Sequence, residues 1–153
     1  MNQIVEEPIA LERQLGTVDD AMTRDVVLLA ADMTAEMALR RLDQKAVSGA
    51  PVVDHGRVVG VITRRDLLVP TLLDDPSDAQ APSPWNRLTA LRVYDLMSSD
   101  PVAVEPDCPL AQAVRMMVGH GVNRLPVVDH AGRPIGVLTR DDVLGAVARG
   151  VHP

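Results

Sequence analysis

The sequence predicts an α/β (α+β) protein made of two β-α-β-β-α repeats, and three observations carry that prediction. A long stretch recurs later in the chain at one offset. Each copy alternates short β-branched runs with a stretch of helical periodicity. The apolar residues are aliphatic: 46% of the 153 residues are hydrophobic, yet there is no Phe, one Trp and one Tyr. Val, Leu, Ala and Met must therefore fill a core of packed sheet and helix layers.

The repeat is seen by laying the chain from Val18 over the chain from Val93 with a single gap. Met22 then meets Met97, Asp25 meets Asp100, and APVVDH meets LPVVDH; beyond the gap Gly60 meets Gly136, Thr63 meets Thr139 and Asp66 meets Asp142. In order, each copy opens with a short strand, 26–29 or 102–104. The strand leads through Asp32 or Asp107 into an amphipathic helix, and in the second copy Leu110, Ala113, Val114 and Met117 follow the i, i+3, i+4, i+7 pattern. Pro109 fits the first helical position. PVVDHGRVVGVIT and PVVDHAGRPIGVLT each read as a β-hairpin with a Gly-containing loop, and RRDLLVPTLL and DDVLGAVARG as closing helices.

The predicted organisation is an arm over 1–17 with a short helix between Pro8 and Gly16, a first repeat over 18–70, a linker over 71–90, a second repeat over 91–149 and a tail over 150–153. Pro, Ser and Asp mark 74–84 as an exposed connection. Each half is small, and two halves can bury their sheets against each other.

Composition excludes several functions. A net charge of −6 disfavours a general nucleic-acid binder, which needs a basic face to displace counterions. No apolar run approaches the roughly 20 residues of a membrane span. Lys45 is the one lysine among 15 basic residues, so positive charge rests on arginine, whose planar fork suits phosphate and carboxylate. The single Cys108 excludes an intramolecular disulfide and a Cys-rich zinc site. MNQIVEEPIALERQ lacks the apolar centre of a secretory signal, and the expected compartment is the cytoplasm.

The polar patch Thr139-Arg140-Asp141-Asp142, where GVLTRDDVL turns from strand to helix, has a plain structural explanation. A Thr at the N-cap with a carboxylate three residues on is a capping box, and Thr63 to Asp66 repeats it. The same geometry suits a ligand, because a helix N-terminus offers N–H groups to a phosphate and a carboxylate accepts from ribose hydroxyls. Capping and binding are compatible.

Both copies resemble the CBS domain, the module named after cystathionine β-synthase, through SGAPVVDH and NRLPVVDH followed by GVITRRDLL and GVLTRDDVL. The resemblance implies a pseudo-twofold pair of repeats, a Bateman module, with sheets facing and helices outside. It implies a non-catalytic regulatory sensor that binds an adenosine-containing ligand (AMP, ADP, ATP or S-adenosylmethionine) in the clefts between the copies, needs no cofactor and signals to a partner protein. Little chain lies outside the two copies, so a stand-alone module is expected.

By that resemblance the Asp holds the ribose and the Thr lies near the phosphates, which assigns Asp66, Thr63, Asp142 and Thr139. Each cleft is expected to borrow from the other copy. The Thr139/Asp142 cleft takes Thr23, Val26 and Val27 with Ser48, Gly49 and Ala50. The Thr63/Asp66 cleft takes Ser98, Pro101 and Val102 with Asn123, Arg124 and Leu125. Arg124 and Arg140 can place two guanidinium groups on a phosphate chain, whereas the other cleft keeps Arg64 and has no match to Arg124. Tighter binding is therefore expected at Thr139/Asp142.

Plainer readings stand beside these. Arg124 can be a surface arginine paired with Asp129, Arg65 and Asp141 solvated, and Met116 and Met117 core or dimer filler. His55 and His130, on equivalent hairpin turns, have no ligand spacing that supports a metal site. Cys108 opens a helix, where the dipole can lower a thiol pKa, but has no His nearby in sequence and reads as a partly buried cysteine. The apolar helices favour a homodimer, and the alternative function is a ligand-free interaction scaffold. No nucleophile with its base, paired acids or phosphate loop supports an enzyme.

Overall fold

The computed structural model describes residues 15–72 and 83–150. The arm helix expected from Pro8, the middle of the linker and the tail past 150 lie outside those residues. The fold is α/β with mixed strand directions, and its two compact units cut across the repeats. Val27–Pro101 forms a central unit, and Met1–Val26 joins Val102–Pro153 in a split unit. The opening segment of each repeat, 18–26 or 93–101, is thus built into the unit that holds the other repeat's hairpin.

In the central unit β1 (Leu29–Ala30) runs parallel to β2 (Gly49–Asp54), which pairs antiparallel with β3 (Arg57–Thr63). The first strand is shorter than the expected 26–29. Between β1 and β2 lies α2 (Ala35–Gln44), after the four-residue α1 (Val18–Ala21) of the split unit. Thr34 caps α2 by accepting from the Met37 N–H at 3.2 Å, and Ala35, Ala38 and Leu42 on one face are fully buried. After β3 comes α3 (Arg64–Leu72).

The expected linker contains a helix, α4 (Pro84–Ala90). Ser83 caps it, Leu88 enters the core, and the Arg40 guanidinium lies 5.0 Å from the Trp85 ring centre. Burial of Leu88 offsets the ordering entropy of a segment whose Pro and Ser content reads as exposed. A short α5 (Val93–Leu96) then delivers β4 (Ser98–Ser99) to the free edge of β3, with Val61 opposite Ser98.

The split unit repeats this plan. Its helix α6 (Leu110–His120) starts one residue after Pro109, which sits at the N-cap, and ends on Gly121 at φ +64°, a left-handed C-cap that glycine adopts without strain. Its hairpin is β5 (Arg124–Val128) with β6 (Pro134–Thr139), followed by α7 (Arg140–Gly150). Val104 pairs parallel with Val127 where β1 stands in the other unit, and Thr23 bridges Val137 where β4 stands. The core is aliphatic, built on Val18, Leu110, Leu125, Val127 and Leu138.

Gly60 and Gly136 are needed for this docking. A Cβ on Gly60 would stand 2.7 Å from the Ser98 carbonyl oxygen, and one on Gly136 would stand 2.9 Å from that of Thr23. Backbone cannot retreat as a flexible side chain can.

Candidate functional site

Each unit sets its Thr-x-x-Asp where the last strand hands over to the last helix. In the split unit the Asp142 carboxylate accepts from the Thr139 N–H at 2.9 Å, while the Asp142 N–H donates to Thr139 Oγ1 at 3.2 Å. In the central unit Asp66 accepts from the Thr63 N–H at 2.9 Å and its N–H donates to Thr63 Oγ1 at 3.3 Å. Both are capping boxes, and both hold a half-buried carboxylate at a helix N-terminus.

The split unit adds a contact. Thr23 Oγ1 donates to Asp142 at 3.1 Å and 3.2 Å from its two oxygens. Docking of the Thr23 edge against Val137, with N–H to carbonyl distances of 2.9 Å in both directions, brings this hydroxyl there from more than a hundred residues away. An ionised carboxylate offers about four lone-pair sites, so two donors leave acceptor capacity for a further hydroxyl.

The segments that precede PVVD lie beside their own copy's Thr. Gly49 pairs with Thr63, Ala50 with Ile62, and the Ser48 carbonyl accepts from the Arg64 N–H at 2.9 Å. Arg124 pairs with Thr139, Leu125 with Leu138, and the Asn123 carbonyl accepts from the Arg140 N–H at 2.9 Å. Hairpin pairing brings each to the Thr of its own repeat because β2 and β3, like β5 and β6, are antiparallel neighbours. Ser98, Pro101 and Val27 fall in the central unit, and Thr23, Val26 and Val102 in the split unit. Thr23 thus meets Asp142 as expected, and Ser98 meets the strand that ends in Thr63.

The two arginines that follow the Thr diverge. Arg64 turns back onto the end of α2, donating from Nε to the Val47 carbonyl at 3.0 Å and from Nη2 to the Leu42 carbonyl at 3.3 Å, with Asp43 Oδ1 3.8 Å away. A cation there complements the negative end of the helix. Nothing in the local sequence marks this contact. Arg140 instead lines an open cavity of about 300 Å³ between α6 and α7, which sets it with apolar side chains and Asn123.

Arg124 is half-buried, and burial lowers its guanidinium pKa from the usual arginine value. Asp129 accepts from the Arg133 Nε at 2.8 Å. Cys108 is partly buried, and burial, followed by the neighbouring Asp107 charge, raises its thiol pKa. That outweighs any help from the helix start and leaves a poor nucleophile. His130 contacts Glu105 at 2.6 Å, and His55 contacts Asp54 at 3.1 Å. Among the described residues no cluster of three His, Cys, Asp or Glu is arranged to hold a metal ion, and no helix is long and apolar enough to cross a membrane.

Comparison with known proteins follows the repeat. The CBS domain family model matches twice, over residues 18–69 and 93–149. A CBS domain-containing protein of Dictyostelium discoideum is 33% identical over 140 residues, 89% of this chain and 94% of its own. The inosine-5'-monophosphate dehydrogenase of Korarchaeum cryptofilum is 28% identical over 99% of this chain, which spans only 28% of that enzyme's length. Among solved structures, CBSX2 in complex with AMP superposes with a TM-score of 0.71 at 31% identity, covering 88% of this chain and 97% of CBSX2.

Proposed function

Because the chain belongs to the CBS-domain family, we propose that it is a non-catalytic regulatory module that binds an adenosine nucleotide at the Thr139–Asp142 junction and reports occupancy to a partner protein. One observation carries the assignment: Asp142 is pre-oriented by both the Thr139 N–H and the Thr23 hydroxyl. A carboxylate fixed in this way meets ribose hydroxyls without first losing rotamer freedom. The phosphate lies toward the Thr139 hydroxyl and the N-terminus of α7, with Arg124 as the counter-charge carried on the adjacent strand. CBSX2, similar over nearly all of its length, is a structure in complex with AMP.

The proposal is tested by thermal unfolding with AMP and ATP. Ligand at about a hundred times its dissociation constant raises stability by roughly 2.7 kcal/mol. Thr23→Val, which removes the hydroxyl that holds Asp142, weakens binding about 3- to 10-fold, the worth of one hydrogen bond. Absence of any shift with either nucleotide contradicts the proposal.

It would favour a second reading, an interaction scaffold. That reading draws on the equivalent leucines Leu68 and Leu144, which are 49% and 59% exposed on the closing helices of the two units. Sedimentation at micromolar concentration tests it, since a scaffold built on these faces self-associates and Leu144→Glu reduces the association.

A further inference from the structure

We propose that the recess between α6 and α7 of the split unit is a second binding site, specific for an aliphatic carboxylate, and that it exists because position 118 is Val where the other repeat has Asp43. In the repeat alignment Leu42, Asp43, Val47 and Arg64 correspond to Met117, Val118, Val122 and Arg140. The central unit lays the Arg64 guanidinium across this place, tied to the Val47 and Leu42 carbonyls and facing Asp43.

The split unit has no carboxylate at 118 to draw Arg140 inward. A cavity of about 300 Å³ is left there, walled by Val114, Met117, Val118, Val122 and Val143, with Arg140 lining it. Among the described residues the Arg140 side chain takes no hydrogen bond or ion pair.

The occupant follows from this chemistry. Aliphatic walls select an alkyl tail by removing it from water, and the volume is at the small end of ligand pockets. A guanidinium beside them selects a planar anion that it can hold through two parallel hydrogen bonds, which a carboxylate provides. An alcohol or amine of the same length lacks that pairing. Binding places the carboxylate where Asp43 stands in the central unit and supplies in trans the charge that Val118 omits.

The test uses octanoate as the probe, titrated calorimetrically into the whole chain, with octan-1-ol as the uncharged control. Saturable binding of one octanoate is expected. Val118→Asp gives Arg140 an internal partner and weakens octanoate at least tenfold. Val118 is 77% exposed, so this variant folds, as its circular dichroism and melting temperature verify. Arg140→Gln weakens octanoate comparably and abolishes its preference over octan-1-ol. Three results overturn the proposal: no saturable binding to the unmodified chain, binding unchanged in both variants, or a change of sedimentation state in Val118→Asp without octanoate binding, which would give the recess to a second copy of the chain. Octanoate is titrated with no nucleotide present, so failure here and failure of the AMP reading are told apart.

Discussion

The central and split units close the same strand-to-helix junction with the same reciprocal cap, then use the next side chain in opposite ways. Arg64 is spent inside its own unit on the end of α2, whereas Arg140 lines an open recess. The pattern is consistent along the repeat. Residues that touch backbone agree between copies: the Thr-x-x-Asp caps, and Gly60 and Gly136 under the incoming edges. Residues one step away differ, with Ser48-Gly49 against Asn123-Arg124 and Asp43 against Val118. Backbone contacts constrain a repeat because an added atom there forces whole strands apart, while a side chain facing solvent or a groove can change its chemistry at little cost in stability.

The largest test of this contrast is Gly60→Ala beside Gly136→Ala. Each drives a Cβ into a carbonyl oxygen and costs about 1–3 kcal/mol by overpacking. Gly60→Ala costs more, because its gap is 2.7 Å against 2.9 Å. Urea unfolding measures both, and an unchanged midpoint for either variant breaks the claim that these glycines admit the docked edge.

Arg64→Ala against Arg140→Ala comes next. Loss of the two carbonyl contacts destabilises the chain by about 1–2 kcal/mol, while Arg140→Ala stays within about 0.5 kcal/mol, as for a surface change. Equal losses would erase the distinction between the units.

The smallest effect concerns pH. Asp129 lies below the ordinary carboxylate range, held there mainly by the Arg133 backbone N–H, then by the Arg133 side chain and the Ala131 N–H. A depressed carboxyl contributes stability above its unfolded pKa and loses it as pH falls through the folded value. Asp129→Asn therefore flattens the acid limb of the stability curve below about pH 4, near the unperturbed Asp value, and leaves the neutral limb nearly in place. An unaltered acid limb contradicts the assignment.

Much of the fold was legible because its signals are local. Val and Ile runs around PVVDH, helical spacing from Leu110 to Met117, and the Thr-x-x-Asp caps each specify their own few residues. The helix over 84–90 was missed within the expected linker, although Ser83-Pro84 is a cap followed by a first-turn proline. The Pro and Ser content of the surrounding segment obscured it.

Unit membership followed from the family resemblance and not from any local signal. The docking of Thr23 on Val137 and of Ser98 on Val61 is decided by packing between distant segments, and a glycine inside each receiving strand is the one local hint. The site shows the same division. Thr139 and Asp142 announce themselves as a cap, but the placement of 123–125 beside them follows from hairpin pairing, and the turn of Arg64 onto α2 depends on where a helix end lies in space.

Calorimetric titration of AMP into the unmodified chain, Asp142→Ala and Asp66→Ala tests the central claim most directly. Loss of a charged acceptor at Asp142 weakens the tighter site by about 10- to 100-fold, whereas Asp66→Ala leaves that site within about twofold. Undiminished AMP affinity in Asp142→Ala, or loss of the tighter site in Asp66→Ala instead, would contradict the assignment of the nucleotide to the split unit.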